Sequence, residues 1–424
     1  MKRWSWTLCT VLLAAACTQD SPTETGSGLL PPDAIRTFEF VLEPERYLQW
    51  DTAFGLYSAT ADADYALIAS EYEGMLNSRV LLRYPIPRTI SVIDTAGVLR
   101  TDSMPIYFSG DVRLLIDTLA STPPPAALNL FRTTEEWDRL TASWQFRVDS
   151  AGVQLPWSEP GGSPGALIST STYQEGDSVL LAVDSATIAV WADTTAAARG
   201  AVLGAGTAGT RLRTVLPTLR LRARSTMNPD TVVETTLAPA RTFIFEPEQP
   251  DSVGVPRVGG TPAWRTVLRL RERLDTLLVA CPGVPGCTLR LGDVTINYAA
   301  LQLQPLPSPA GFAPELPLSI ALHALLPSPL VPLSRSPVTG AFGAPAGSIP
   351  SSSFMAPGAS VVEVAATELV RLLFSPPDED PDTFTPTHLA LLPSGSTRTF
   401  GFGTFAELPA LRIIVTISRE LQLP

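Results

Sequence analysis

The chain has 424 residues, of which 45% are hydrophobic, and it carries a formal net charge of -11. Its 41 prolines and 29 glycines punctuate the sequence too often for long helices, and the acidic balance argues against a nucleic-acid binder. Lys2 is the sole lysine, so arginine is simply the basic residue this chain uses and no basic patch is implied.

Residues 1–17 read as an address. Lys2 and Arg3 form a charged start, and Leu8 to Ala16 is apolar but short of the roughly 20 residues a membrane-spanning helix needs. Ala14-Ala15-Ala16-Cys17 resembles the lipobox of bacterial lipoproteins, which implies cleavage before Cys17 and lipidation of that cysteine. An ordinary secretory signal cut after Ala16 and a single membrane anchor are the rival readings. Thr18 and Gln19 follow, with no Asp at the position next to the cysteine, and in a lipoprotein that pattern implies the outer membrane. The polar stretch 18–33 has the composition of a flexible tether.

The remainder contains an echo. Arg36-Thr37-Phe38-Glu39-Phe40 returns as Arg241-Thr242-Phe243-Ile244-Phe245, Gly110-Asp111-Val112 as Gly292-Asp293-Val294, and Leu216-Pro217-Thr218-Leu219-Arg220-Leu221 as Leu408-Pro409-Ala410-Leu411-Arg412-Ile413. Two related domains in tandem are the simplest explanation, with residues 34–225 as domain one, 226–240 as a linker and 241–418 as domain two. The stretches Arg36 to Phe40, Val80 to Tyr84, Val112 to Ile116, Leu219 to Arg224, Val267 to Arg271 and Leu411 to Ile417 are short and apolar-rich, and many alternate. Strands with one wet face have this pattern, and the expected class is all-β, two antiparallel β-sandwiches with few short helices. In Leu219-Arg220-Leu221-Arg222 the arginines should take the outer face.

Within domain one, Asp184 to Trp191 follows a strand-like stretch, as Thr367 to Phe374 does in domain two. Each fits one or two helical turns, with Asp184 or Thr367 near the start as a cap, and each equally fits a continued strand. In domain two, Cys281 and Cys287 bracket the turn-rich Pro282-Gly283-Val284-Pro285-Gly286, so a disulfide is expected, contributing on the order of 2 kcal/mol. Residues 334–359, rich in Pro, Gly, Ser and Ala, should form an irregular loop at the end of the sandwich.

Catalytic and metal chemistry find little support. His323 and His388 accompany no nucleophile elbow, metal-binding helix or phosphate loop, and no enzyme activity or cofactor is expected. Asp378-Glu379-Asp380 with Asp382 offers calcium-type oxygens, but without EF-hand spacing or a glycine turn it reads as a hydrated loop. No metal site is predicted.

A family resemblance emerges across residues 78–224. Trp137 follows Glu135 and Glu136, and Trp144 follows Thr141-Ala142-Ser143. Trp157 precedes Glu159-Pro160-Gly161-Gly162, and further on come Val179 to Val183, Trp191, Gly200 and Leu216-Pro217-Thr218-Leu219. This order resembles the DNRLRE-type domains, although the naming motif itself is absent. The resemblance implies a jelly-roll β-sandwich on an exported bacterial protein, in part of the family assigned as a carbohydrate-binding module.

The aromatic distribution gives the one hint of a site. Trp137, Trp157 and Trp50, with Asp138 and Glu159 as polar neighbours, could stack on a sugar and bond its hydroxyls. Trp144 and Trp191, among apolar neighbours, read as packing residues. Two functions follow from this reading. In one, a lipid-anchored envelope protein binds a polysaccharide or other glycan through domain one, which requires at least two of the three rings exposed along one groove. In the other, a structural or assembly lipoprotein contacts another envelope protein, which requires an apolar or edge-strand patch and no sugar affinity. Both place the chain on a membrane through lipid on Cys17, and neither involves nucleic acid.

Overall fold

The computed structural model describes residues 35–55, 59–150, 152–195, 199–261, 264–326, 331–375, 385–394 and 399–418. The expected signal segment and tether, Cys17 and the Asp378 to Asp382 run lie outside the described residues.

Short alternating segments and frequent turn residues build an all-β fold of paired antiparallel sheets. The chain opens with β1 (Ile35–Leu42), a single helical turn α1 (Pro44–Tyr47) and β2 (Leu48–Phe54). It then runs through β3 (Ala66–Tyr72), β4 (Leu76–Arg83), β5 (Ile90–Ile93), β6 (Leu99–Asp102), β7 (Ile106–Ile116) and β8 (Ala126–Thr133). Next come β9 (Phe146–Ser150), β10 (Val153–Pro156), β11 (Pro164–Tyr173), β12 (Ser178–Asp184), helix α2 (Ser185–Ala192), β13 (Ala201–Ala205) and the long β14 (Thr210–Arg224). After β15 (Val232–Leu237) and β16 (Ala240–Glu246) follow β17 (Arg257–Val258), β18 (Arg265–Leu270), β19 (Leu278–Ala280), β20 (Thr288–Arg290) and β21 (Thr295–Leu306). The chain closes with β22 (Ile320–Leu325), β23 (Val338–Ala341), β24 (Val362–Ala365), helix α3 (Thr367–Phe374), β25 (His388–Pro393) and β26 (Gly403–Ser418).

Two sandwiches result, but the tandem division needs correction. The first is one ten-stranded sheet in the order β11-β8-β13-β4-β3-β14-β7-β12, with β15 beside β14 and β16 beside β4. It therefore spans β3 to β16 without interruption. The second packs the sheet β1-β26-β21-β24 against β2-β18-β25-β22-β23. Its first two strands come from the start of the chain, so the first sandwich is inserted between β2 and β17 of the second. The expected linker 226–240 contains β15, and Arg241 to Glu246, assigned by sequence to domain two, closes the first sandwich on β4.

Burial drives the crossover. Phe38, Phe40, Leu42, Tyr47 and Leu48 pack into one core with Leu411, Ile413, Val415 and Ile417 of β26. The register Leu42↔Leu411 to Ile35↔Ser418 is unbroken. Conversely, Phe243 and Phe245 join the first core with Leu67, Val80 and Leu212.

The two sandwiches share an architecture. Leu411 of β26 pairs with Leu301 of β21 and Leu42 of β1, as Leu219 of β14 pairs with Val112 of β7 and Leu237 of β15. The Leu-Pro echo therefore marks equivalent strands. The other two echoes do not. β1 corresponds in place to β15 rather than to β16, and Gly110 to Val112 lies inside β7 while Gly292 to Val294 precedes β21.

Both expected helices form at equivalent places. Asp184 caps α2, accepting from Thr187 N at 2.8 Å. Thr367 does not cap α3: Ala366 occupies that position, and Thr367 Oγ1 bonds the backbone of Ala299 instead. The disulfide Cys281–Cys287 closes the β19–β20 ribbon, with the two Cα atoms 5.3 Å apart. Residues 334–359 are more ordered than expected. They contain β23, paired with β22, and a 3-10 turn that buries Phe354.

Candidate functional site

The tryptophans of the first sandwich are an internal layer rather than a platform. Trp137 and Trp157 are each 5% exposed and, with Trp144, cover Leu81, Val202 and Ile244 on the outer face of the sheet. Arg83 stacks on Trp137 at 4.8 Å and Arg79 on Trp144 at 5.2 Å, and the Trp157 indole donates to Ser143 O at 3.0 Å. Gly161 and Gly162, both at positive φ, let the loop close against Arg79, Trp144 and Leu81, where any Cβ would collide.

Trp50 stands apart on the second sandwich. It lies on β2, partly buried beside Val267, Leu325, Ala390 and Leu392, with its ring 5.6 Å from that of His388. Asp138 is occupied within its own turn, accepting from Leu140 N, Thr141 N and Thr141 Oγ1. Glu159 is exposed, and its carbonyl accepts from Ser163. These five residues are thus not brought together, and the requirement for two exposed rings along one groove is not met. Burial of both faces of the sheet is the physical reason.

A different surface has the character of a site. The β5–β6 ribbon turns Ile90 and Val92 inward, and its other face presents Ile93 directly opposite Leu99. Ile93 is 58% exposed, Leu99 71%, Met104 71% and Ile106 59%, with Val98, Met227 and Val232 also exposed.

Asp102 gathers these residues into one platform. Its buried carboxylate accepts from Met104 N at 2.9 Å, Ser225 Oγ at 2.8 Å, Thr226 N at 2.6 Å and Thr226 Oγ1 at 2.9 Å. Asn228 adds a bond to Ile93 O at 3.1 Å. The ribbon is thereby fastened to the β14–β15 turn, placing Met104 and Met227 around the same carboxylate. Ile106 and Val232 flank Arg224 from either side of β14.

The Met104 N–H leads the interactions that pull the Asp102 carboxyl down to about 2, joined by the Ser225 and Thr226 donors. It therefore stays ionised and fully bonded at neutral pH. Along the rim, Asp94 pairs with Arg100 at 2.6 Å, leaving the platform close to neutral. Chemically this is a largely apolar surface that carries one exposed cation, Arg224, between Ile106 and Val232, and it is suited to another apolar surface. Sequence reasoning missed it, although Ile93, Val98, Leu99, Met104 and Ile106 crowd within a span bearing two turn signals.

No family model matches the chain, and no curated protein matches it. Among solved structures, the chain is similar to one described as "BspA_C_mut" at 9% identity over 90% of each chain, with a TM-score of 0.09. A likeness of that size carries no argument about fold or function.

Proposed function

We propose that the chain is a lipid-anchored assembly protein of the bacterial cell envelope that holds another envelope protein on the β5–β6 platform. The supporting observation is the platform itself: several large apolar side chains gathered around a saturated carboxylate and left open to solvent. Isolated exposed leucines are ordinary, but a rigid cluster of this kind is not.

In this reading Cys17 carries lipid at the outer membrane, and the first sandwich is a divergent DNRLRE-like module. No helix among the described residues is long and apolar enough to cross a membrane. Burial of Trp137 and Trp157 favours this assembly role over glycan recognition by those rings.

The test is site-specific photo-crosslinking in intact cells from position 99, with position 119 as the control. Leu119 is also highly exposed but follows the far end of β7. A discrete adduct from position 99 alone is expected. Identical adduct patterns from both positions, or none from position 99, would overturn the proposal. Palmitate labelling of a Cys17→Ser variant tests the anchor separately.

A further inference from the structure

One row of the second sandwich carries an indole, a guanidinium and an imidazole side by side. Trp50 of β2 and His388 of β25 are the register partners of Arg269 on β18, one on each side. Directly paired residues point to the same face of a sheet, and the opposite face at this point is the core side of Leu268, Leu270 and Leu389, so all three stand outward. The two flanking strands run roughly 10 Å apart, yet the Trp50 and His388 rings approach to 5.6 Å, leaning together across β18.

Further along, the same face is closed. Leu333 and Val338 pack over Val267, Leu325, Ala390 and Leu392, and Arg265 is buried there with Nη1 donating to Ser336 O at 2.9 Å. Arg269 lies beyond that cover. It is exposed, and its guanidinium has no hydrogen bond or ion pair among the described residues. The Trp50 indole N–H is likewise unbonded without being fully buried. Thr387 Oγ1 sits 2.9 Å from His388 Nδ1, and with that hydroxyl donating, the neutral imidazole carries its proton on the free Nε2. Burial and then the Arg269 charge hold His388 below the usual histidine range, which keeps the ring neutral near pH 7. The next row along the face, Thr52, Val267, Ala390 and His323, brings no carboxylate to answer Arg269.

From this geometry we infer that the Trp50–Arg269–His388 row binds an organic acid, a carboxylate carried on a flat body. The guanidinium takes the two carboxylate oxygens through its paired N–H groups, and the indole and imidazole N–H groups are flanking donors. An amine is repelled by the same guanidinium, and a neutral ligand gains no ionic bond from it. A uronic acid unit of a glycan and a free aromatic acid share this chemistry. The row belongs to the second sandwich and the platform to the first, so either assignment can fail without the other.

Because the chain has only 2 histidines, histidine-ring NMR reads the row directly. The full chain is titrated with benzoate beside benzamide and with galacturonate beside galactose, followed by those spectra and by calorimetry. At least one acid should bind about tenfold more tightly than its neutral counterpart and shift the His388 ring signals while leaving those of His323 in place. The tighter acid identifies the source. Arg269→Gln should bring that acid down to the level of its counterpart with thermal unfolding unchanged, and Arg269→Lys, which keeps the charge without the planar fork, should fall between. Equal affinity within both pairs, no binding of either acid at millimolar concentration, or shifts confined to His323 overturns the inference. So does an acid preference that survives Arg269→Gln. Should that variant unfold, Trp50→Phe keeps an aromatic ring and removes the indole donor, and acid binding unchanged by it would equally overturn the inference.

Discussion

Arg211 of the first sandwich and Glu315 of the second form a buried ion pair across the joint between them, with both side chains under one-tenth exposed. Arg211 lies 5.2 Å from the Tyr72 ring and 6.0 Å from the Phe400 ring. Glu315 also accepts from the backbone N–H of Phe400 and Gly401, each at 3.2 Å, and from Thr399 Oγ1. The pair sits within an apolar seam formed by Phe243, Phe312, Phe400 and Phe402 in the first core cluster, so the two sandwiches are packed as one body rather than strung as beads.

Removing the two partners should have unequal effects. Glu315→Ala leaves a buried guanidinium whose remaining partners are the Tyr72 side chain and the charge of Glu73, and should cost about 3 kcal/mol. Arg211→Met leaves a carboxylate that still has backbone and hydroxyl donors, so it should cost less. In the Arg211→Met/Glu315→Ala double variant no charge is stranded, and its loss should fall below the sum of the single losses. Urea unfolding of the four proteins measures this cycle, and strict additivity would refute the coupling.

Glycine at position 161 should be indispensable for the tryptophan layer. Its φ of 86° lies in the left-handed region, and a Cβ there would stand 2.8 Å from both the Arg79 guanidinium and the Trp144 ring. Gly161→Ala therefore combines backbone strain with a steric clash and should cost at least ~1–3 kcal/mol. Gly152, also at positive φ, has open space around it and should show the backbone cost alone. Tryptophan emission red-shifted in the first variant and not the second would locate the damage in the layer.

The tryptophans show what was legible in the chain and what was not. Leu219 and Leu221 are buried while Arg220 and Arg222 face outward to Asp111 and Glu234, as strict alternation demands. Val80-Leu81-Leu82, Ala201-Val202-Leu203 and Phe243-Ile244-Phe245 break that alternation, and the apolar runs signal strands covered on both faces. Something had to cover Leu81, Val202 and Ile244, and the tryptophans do. The crossover had no such signal. Phe38 and Phe40 have the correct spacing to pair in either sandwich, and the choice between them depends on packing hundreds of residues away.

The disulfide should be a local fastening. It closes a short ribbon whose backbone is already bonded, from Cys281 N to Cys287 O at 3.0 Å. Replacing both cysteines with alanine should lower stability by about 2 kcal/mol and leave the second sandwich folded. Calorimetry of the oxidised protein beside the double variant checks the magnitude. Complete unfolding would mean that the ribbon supports far more of the core than its size implies.

Acid should loosen the platform through Asp102. Its carboxyl titrates at about 2 in the folded chain, against an ordinary value near 3.9 for an unfolded aspartate. The folded state therefore binds fewer protons between those values. The stabilisation from Asp102 is fully present above about pH 4 and is lost as pH falls toward 2. Protonation removes acceptor capacity from a carboxylate serving Met104, Ser225 and Thr226, so the ribbon should detach before the sandwiches unfold. Protection of the Met104 and Thr226 amides, relative to their intrinsic exchange rates, should fall across that window while the Leu212 amide stays protected. In Asp102→Asn both amides should be less protected at neutral pH, and that protection should no longer change between about pH 4 and pH 2. If Met104 and Leu212 instead open together at every pH, the platform is no independent unit and its rigidity does not come from this carboxylate.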